Sequence, residues 1–154
     1  MNLDITEQDK AYLAGIIDGE GCFNVQRAFK KHPTHSIQHS GVLDIYQSNR
    51  SFLESLQILW GGLGSICSHK VGSLSNKTCF RWAITSKQLA RILPHVIPYL
   101  RIKKNQAEAL VELDKTKRAR GIRGERLSEA EIEYRDWIWS SVKNLNQGYL
   151  VDGF

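Results

Sequence analysis

Leu13-Ala14-Gly15-Ile16-Ile17-Asp18-Gly19-Glu20-Gly21 is an apolar run of small residues that closes on two acids set among glycines. A surface helix normally carries polar residues along one side. Tyr12 to Ile17 carries none, so the run predicts a helix covered all round. Gly15 and Gly19 lie four apart on one face, with Ala14 beside them. Glycine inside a helix costs roughly 0.5–1 kcal/mol relative to alanine, so two of them predict a helix pressed closely against another. Asp18 and Glu20 then fall at the C-terminal end of that helix. The end is electronegative, which disfavours carboxylates and welcomes a cation, and hard oxygen donors of this kind suit a divalent metal.

Working outward, Thr6 is the expected N-cap, with Asp9 three residues on, of a first helix from about Glu7 to Asp18. Cys22 to Phe29 alternates as a half-buried strand, and Gln38 to Gln47 alternates again. The second run puts Gly41, Leu43 and Ile45 on one face and Gln38, Ser40, Val42, Asp44 and Tyr46 on the other. A helix capped by Asn49 and stopped at Gly61-Gly62 follows. A second strand pair is expected at about Gly64–Val71 and Lys77–Thr85. Ser86 is the expected cap of a helix that breaks near Pro94 and Pro98, and another helix covers about Ile102–Lys117. Ser128 and Glu131 fit a capping box for the last helix, with Ile132, Trp137, Ile138, Val142 and Leu145 turned inward.

The order α-β-β-α-β-β-α, followed by C-terminal helices, reads as one α+β domain over 1–154, in which roughly 100–154 is a helical part. Its four-stranded antiparallel sheet has one face under helices and one polar face. Asn24, Gln26, Gln38, Ser40, Tyr46, His69 and Arg81 on that polar face can hold phosphates and read base edges. Trp60, Trp82, Trp137 and Trp139 sit at core spacing, and the histidines show no metal-ligand spacing.

Hydrophobic residues at 42% and charged residues at 24% are ordinary for a globular chain. The net charge of +5 leans toward a polyanionic partner. Lys115, Lys117, Arg118, Arg120, Arg123 and Arg126 form a cationic strip that can add salt-dependent affinity. Cys22, Cys67 and Cys79 show no Cys-x-x-Cys pair, which argues against structural zinc and for a reducing, intracellular setting. No run is long and apolar enough for a bilayer, so no membrane partner is expected.

The nine-residue stretch resembles the signature of the LAGLIDADG homing endonucleases, enzymes associated with introns or inteins that cut long DNA sites. The order of elements over the whole chain resembles that family too. The resemblance implies a saddle-like sheet with the motif helix first. One motif copy implies a homodimer whose motif helices pack at the two-fold axis, here through Tyr12, Ala14, Gly15, Asp18 and Gly19. It also implies a near-palindromic double-stranded DNA site cut with short 3′ overhangs.

By the same resemblance Glu20 is the metal ligand, joined by the backbone carbonyl of Gly19. The metal is Mg²⁺, for which Mn²⁺ substitutes. The family more often has aspartate at position 20. Asp18 reads as a structural acceptor of backbone amides in the turn that follows it. Gln47 falls where the family places a polar group near the attacking water. Lys103 lies in Leu100-Arg101-Ile102-Lys103-Lys104-Asn105-Gln106-Ala107, similar to a segment that contributes an active-site lysine. Lys30, Asp44, Arg50 and Arg101 complete the expected DNA contacts. The competing expectation is a non-cleaving nucleic-acid-binding protein on the same fold, such as a maturase acting on intron RNA. A bacterial or archaeal cytoplasm, or an organelle, fits either.

Overall fold

The computed structural model describes residues 4–29, 37–70, 78–117 and 127–154. Its elements are α1 (Glu7–Glu20), β1 (Gly21–Ala28), β2 (Gln38–Gln47), α2 (Arg50–Leu59), β3 (Ser65–Lys70), β4 (Thr78–Thr85), α3 (Ser86–Val96), a 3-10 turn (Ile97–Tyr99), α4 (Lys104–Lys115) and α5 (Glu129–Asn146). The order matches the sequence reading. Lys30 and the strip residues Arg118, Arg120, Arg123 and Arg126 lie outside the described residues.

The four strands form one antiparallel sheet in the order β1-β2-β4-β3. Gly21 pairs with Ile45, Phe23 with Leu43 and Val25 with Gly41. Because side chains alternate across a strand, this register puts Phe23, Leu43, Ile45, Trp82 and Ile84 on one face, where all are fully buried. Leu13 and Ile17 of α1, Leu53 of α2, Leu93 of α3, Leu113 of α4 and Ile138 of α5 cover that face. Trp82 keeps its indole N–H satisfied by donating to the Leu63 carbonyl at 2.8 Å. Gly64, at φ +74°, is obligatory there: a Cβ would sit 2.5 Å from the Ala83 carbonyl oxygen.

Both expected capping boxes are present, Thr6 with Asp9 and Ser128 with Glu131, and Asn49 accepts from Phe52 N–H at 3.1 Å. Ser86 does not cap α3. An N-cap needs an extended backbone, whereas Ser86 has φ +48°, so Thr85 is the N-cap and makes no side-chain bond. Pro94 lies within α3 rather than ending it, and α4 starts at Lys104.

The C-terminal helix closes the free edge of β1. Asn146 Nδ2 donates to the Phe23 carbonyl at 2.7 Å. Asp136 accepts from Arg27 at 3.0 Å and lies 2.7 Å from the buried His39 Nε2. Trp137 departs from the core expectation: it is 39% exposed and stacks on Tyr134 and Phe154 outside the main core. Among the described residues no helix is long and apolar enough to cross a membrane.

Candidate functional site

The face of α1 away from the sheet is open. Gly15 and Gly19 are exposed, and a Cβ built on either meets no atom within 4 Å. Tyr12 flanks them, 56% exposed and edge-on to Phe52. The expectation of a helix covered all round therefore fails within one chain, because only the Leu13, Ala14 and Ile17 side is buried. Ala14 must be moved out of the open face. It is fully buried in the chain's own core, since it follows Leu13 and turns with it toward the sheet.

The C-terminal end of α1 is held from a distance. Asp18 accepts from the backbone N–H groups of Arg101, Ile102 and Lys103 at 2.8, 3.2 and 3.0 Å. Its role is thus structural, but the amides belong to the turn before α4 rather than to the turn after Asp18. Lys103 answers from the same turn. Its ammonium donates to the carbonyls of Ile17, Asp18 and Gly21 at 2.9, 2.8 and 2.6 Å. An ammonium has three N–H donors, and all three are used. Lys103 therefore caps the electronegative helix end, with all three N–H groups on backbone carbonyls. Its long side chain links segments more than 80 residues apart, a contact that sequence spacing cannot reveal.

Glu20 ends α1 and is exposed. Among the described residues its carboxylate has no hydrogen-bond or ionic partner. Lys103 takes carbonyls on both sides of Gly19 but not that of Gly19 itself. The Glu20 carboxylate and the Gly19 carbonyl thus remain as two neighbouring hard oxygen donors at a helix end that favours a cation, a set that fits Mg²⁺. Among the described residues, no group of three or more His, Cys, Asp or Glu side chains is placed to hold a metal. The two oxygens are a partial set, which phosphate oxygens and water can complete.

Gln47 comes to the same end of the sheet. Gly21 pairs with Ile45, so Tyr46 and Gln47 extend past that pair toward the point where the chain leaves α1. Gln47 is partly exposed, and its carbonyl accepts from the Cys79 thiol at 3.6 Å. Arg50 opens α2, exposed and paired with Glu54 at 2.7 Å. Arg101 is exposed beside the turn that Asp18 holds.

On the polar face the register places Asn24 and Gln26 of β1, Gln38, Ser40, Asp44 and Tyr46 of β2, Arg81 of β4 and His69 of β3 together. Asp44 is not an open contact. It is 7% exposed and accepts from Arg81 Nε at 2.8 Å. That hydrogen bond holds the Arg81 guanidinium above its ordinary pKa. Burial, and next the Asp44 charge, push the Tyr46 phenol up. Tyr46 also lies against His69, with ring centroids 5.2 Å apart. Asn24 donates to Cys22 Sγ at 3.3 Å and is half-buried beside α5.

Residues 13–110 match the family model described as LAGLIDADG endonuclease. Among solved structures, the homing endonuclease I-CvuI in complex with its target superposes with a TM-score of 0.70 at 21% identity, over 96% of this chain and 85% of that one. The I-SmaMI LAGLIDADG homing endonuclease bound to cleaved DNA matches with a TM-score of 0.61 at 28% identity, over 95% of this chain and 44% of that one. The I-LtrWI LAGLIDADG homing endonuclease bound to target DNA gives 0.67 at 22% identity, over 90% and 44%. This chain therefore spans less than half of those last two proteins. No curated protein sequence matches it significantly.

Proposed function

The chain belongs to the LAGLIDADG endonuclease family, and from that premise we propose that it is a homodimeric, Mg²⁺-dependent endonuclease that cuts both strands of a long, near-palindromic DNA site. The observation that carries this reading is the open α1 face, on which Gly15 and Gly19 leave room for a second backbone and Glu20 stands unpartnered at the end. Two copies joined there across a two-fold axis would bring two Glu20 carboxylates together, one for each strand. The same operation would set two polar sheet faces along successive major-groove segments, giving a palindromic preference.

Within each site the Glu20 carboxylate and the Gly19 carbonyl would hold the divalent ion. When bound, that ion supplies charge neutralisation at the phosphate and a water of lowered pKa. Gln47 would orient a water through its amide. Arg50 and Arg101 offer charge to flanking phosphates. Lys103 fixes the end of the helix from which Gly19 and Glu20 project, so its contribution to rate is geometric. Magnesium and manganese are the metals expected to support cleavage.

The test is Glu20→Gln on a target selected from a randomised duplex library. The wild type is expected to cut within a palindromic consensus. The variant is expected to bind that consensus with similar affinity and to lose cleavage by a factor of at least about 10³, as removal of a group acting at the transition state does. Cutting retained by the variant would remove Glu20 from the chemistry. Selection of a sequence with no cutting by either protein would favour the non-cleaving binding role.

A further inference from the structure

The inner end of the polar sheet face holds an ion pair of an unusual kind for a surface meant to meet DNA. Asp44 and Arg81 satisfy one another at 2.8 Å, and the Asp44 side chain is only 10% exposed while that of Arg81 is 29% exposed. An arginine that merely grips phosphates gains nothing from a buried carboxylate at its back, because the pair's net charge is near zero. An arginine that reads a base gains a great deal. The bond uses Nε–H, and among the described residues it leaves both terminal nitrogens of a planar fork with fixed orientation. That is the geometry that pairs with the O6 and N7 acceptors of guanine.

The surroundings support this use. Arg81 is directly opposite Tyr46 on β2 and Cys67 on β3, and Ala83, two residues along β4, faces the same way. Cys67 and Ala83 are small, so neither builds a wall over the guanidinium. Tyr46 of β2 and His69 of β3 meet across β4 beside Arg81, with ring centroids 5.2 Å apart. The ion pair also lies next to Gln47, at the end of the sheet nearest Glu20. Ser40, at the other end of the same strand, is six residues from Tyr46, about 20 Å or roughly six base-pair steps away.

We propose that Arg81 reads a guanine in the inner part of each half-site, close to the cut, and that Asp44 is the positioning residue that aims it. The inference rests on the DNA-cleaving reading above and adds one base preference to it. Because the pair is nearly neutral, its contribution lies in discrimination between sequences, with little effect on the salt dependence of binding.

The experiment is a bind-and-sequence selection from random duplex DNA in Ca²⁺, which needs no cleavage. It compares the wild type, Asp44→Asn and the double variant Asp44→Asn with Arg81→Gln. The double variant removes both charges together, so no buried carboxylate is left alone and net charge is unchanged. The wild type should select a symmetric pair of inner guanines. The double variant should lose preference at that base pair alone by about 10- to 100-fold, with an unchanged salt slope. Asp44→Asn should weaken the same preference by a smaller factor, since an amide oxygen still accepts from Nε. A uniform drop in affinity across all sequences would assign the pair a structural role and overturn the proposal. An unchanged consensus would overturn it as well. If the wild type selects no sequence at all, the DNA reading fails and this inference falls with it.

Discussion

At its N-terminus α1 is closed by its own neighbours, with Thr6 and Asp9 exchanging hydrogen bonds across a single turn. At its C-terminus the same helix is closed by Asp18 and Lys103, which sit 85 residues apart and bond each other's backbone. The first arrangement is the usual way to satisfy orphan amides. The second commits a distant turn to one helix end, and it does so where two carboxylates oppose the helix dipole. Lys103 meets the electrostatic demand of Ile17, Asp18 and Gly21. What remains unmet is the demand at Gly19 and Glu20, the two positions proposed to hold the metal. The lesson is that an ordinary end can be built locally, whereas an end that must present a strained charge needs tertiary support.

The sharpest way to break this contrast is Lys103→Met, which keeps the length of the side chain and removes its charge. Hydrogen bonds to a charged group contribute about 1.5–3 kcal/mol each where they are well made, though three on one ammonium do not add fully. We expect unfolding in urea to show a loss of about 3 kcal/mol, together with a loss of cleavage. A variant that unfolds like the wild type yet fails to cut would return Lys103 to the chemistry and end the comparison. Asp18→Asn asks the same question from the other partner. The amide oxygen can still accept from one or two of the three backbone N–H groups, so a smaller loss, about 1–2 kcal/mol, is expected by thermal unfolding.

This contrast also explains what was legible from the chain. Period-two alternation in Cys22–Phe29 and Gln38–Gln47 set the register and hence the polar face, because a one-residue slip would have exposed Phe23 and Leu43. Thr6–Asp9 and Ser128–Glu131 were readable because their partners are three residues away. The backbone partners of Lys103 and Asp18 are hidden in the sequence, because they come from segments that only folding brings together. The Asp44–Arg81 pair is hidden for the same reason: nothing in either strand shows that β2 and β4 are neighbours. Trp137 shows a limit of another sort. Helical spacing identifies a face of α5, but Tyr134 and Phe154, rather than the sheet, cover that part of it.

A third long-range contact, at the far end of the sheet, extends the comparison. Burial raises the pKa of Asp136, but its hydrogen bonds to His39 and Arg27 outweigh that effect and hold its carboxyl below the ordinary value. A depressed folded pKa means that the contact stabilises the protein fully above the unfolded carboxylate pKa. That contribution is lost as pH falls through the lower folded value. Asp136→Asn should therefore flatten the acid side of a stability-against-pH curve, with an effect at neutral pH smaller than that of Asp18→Asn because Asp136 is about one-third exposed. Hydrogen exchange at Phe23 and its neighbours on β1 should report the loosening of α5. An unchanged acid limb would show that the Asp136 carboxylate contributes nothing to holding α5 on the sheet.

The smallest expected effect lies at the local end. Thr6→Ala removes the hydroxyl that accepts from Asp9 N–H and should cost about 1 kcal/mol in thermal unfolding. The bond to Thr6 is also the main reason that the Asp9 carboxyl titrates low. Its contribution is therefore present above the ordinary aspartate pKa and fades below it, so the difference between Thr6→Ala and wild type should shrink in acid. Cleavage is the more telling readout. If the two ends of α1 are independent, Thr6→Ala will melt earlier and cut as well as the wild type at 25 °C, since Glu20 is placed from the other end. A cleavage defect as large as that of Lys103→Met would mean that the helix transmits its N-terminal fraying over three turns to Glu20, and that the local cap is part of the site.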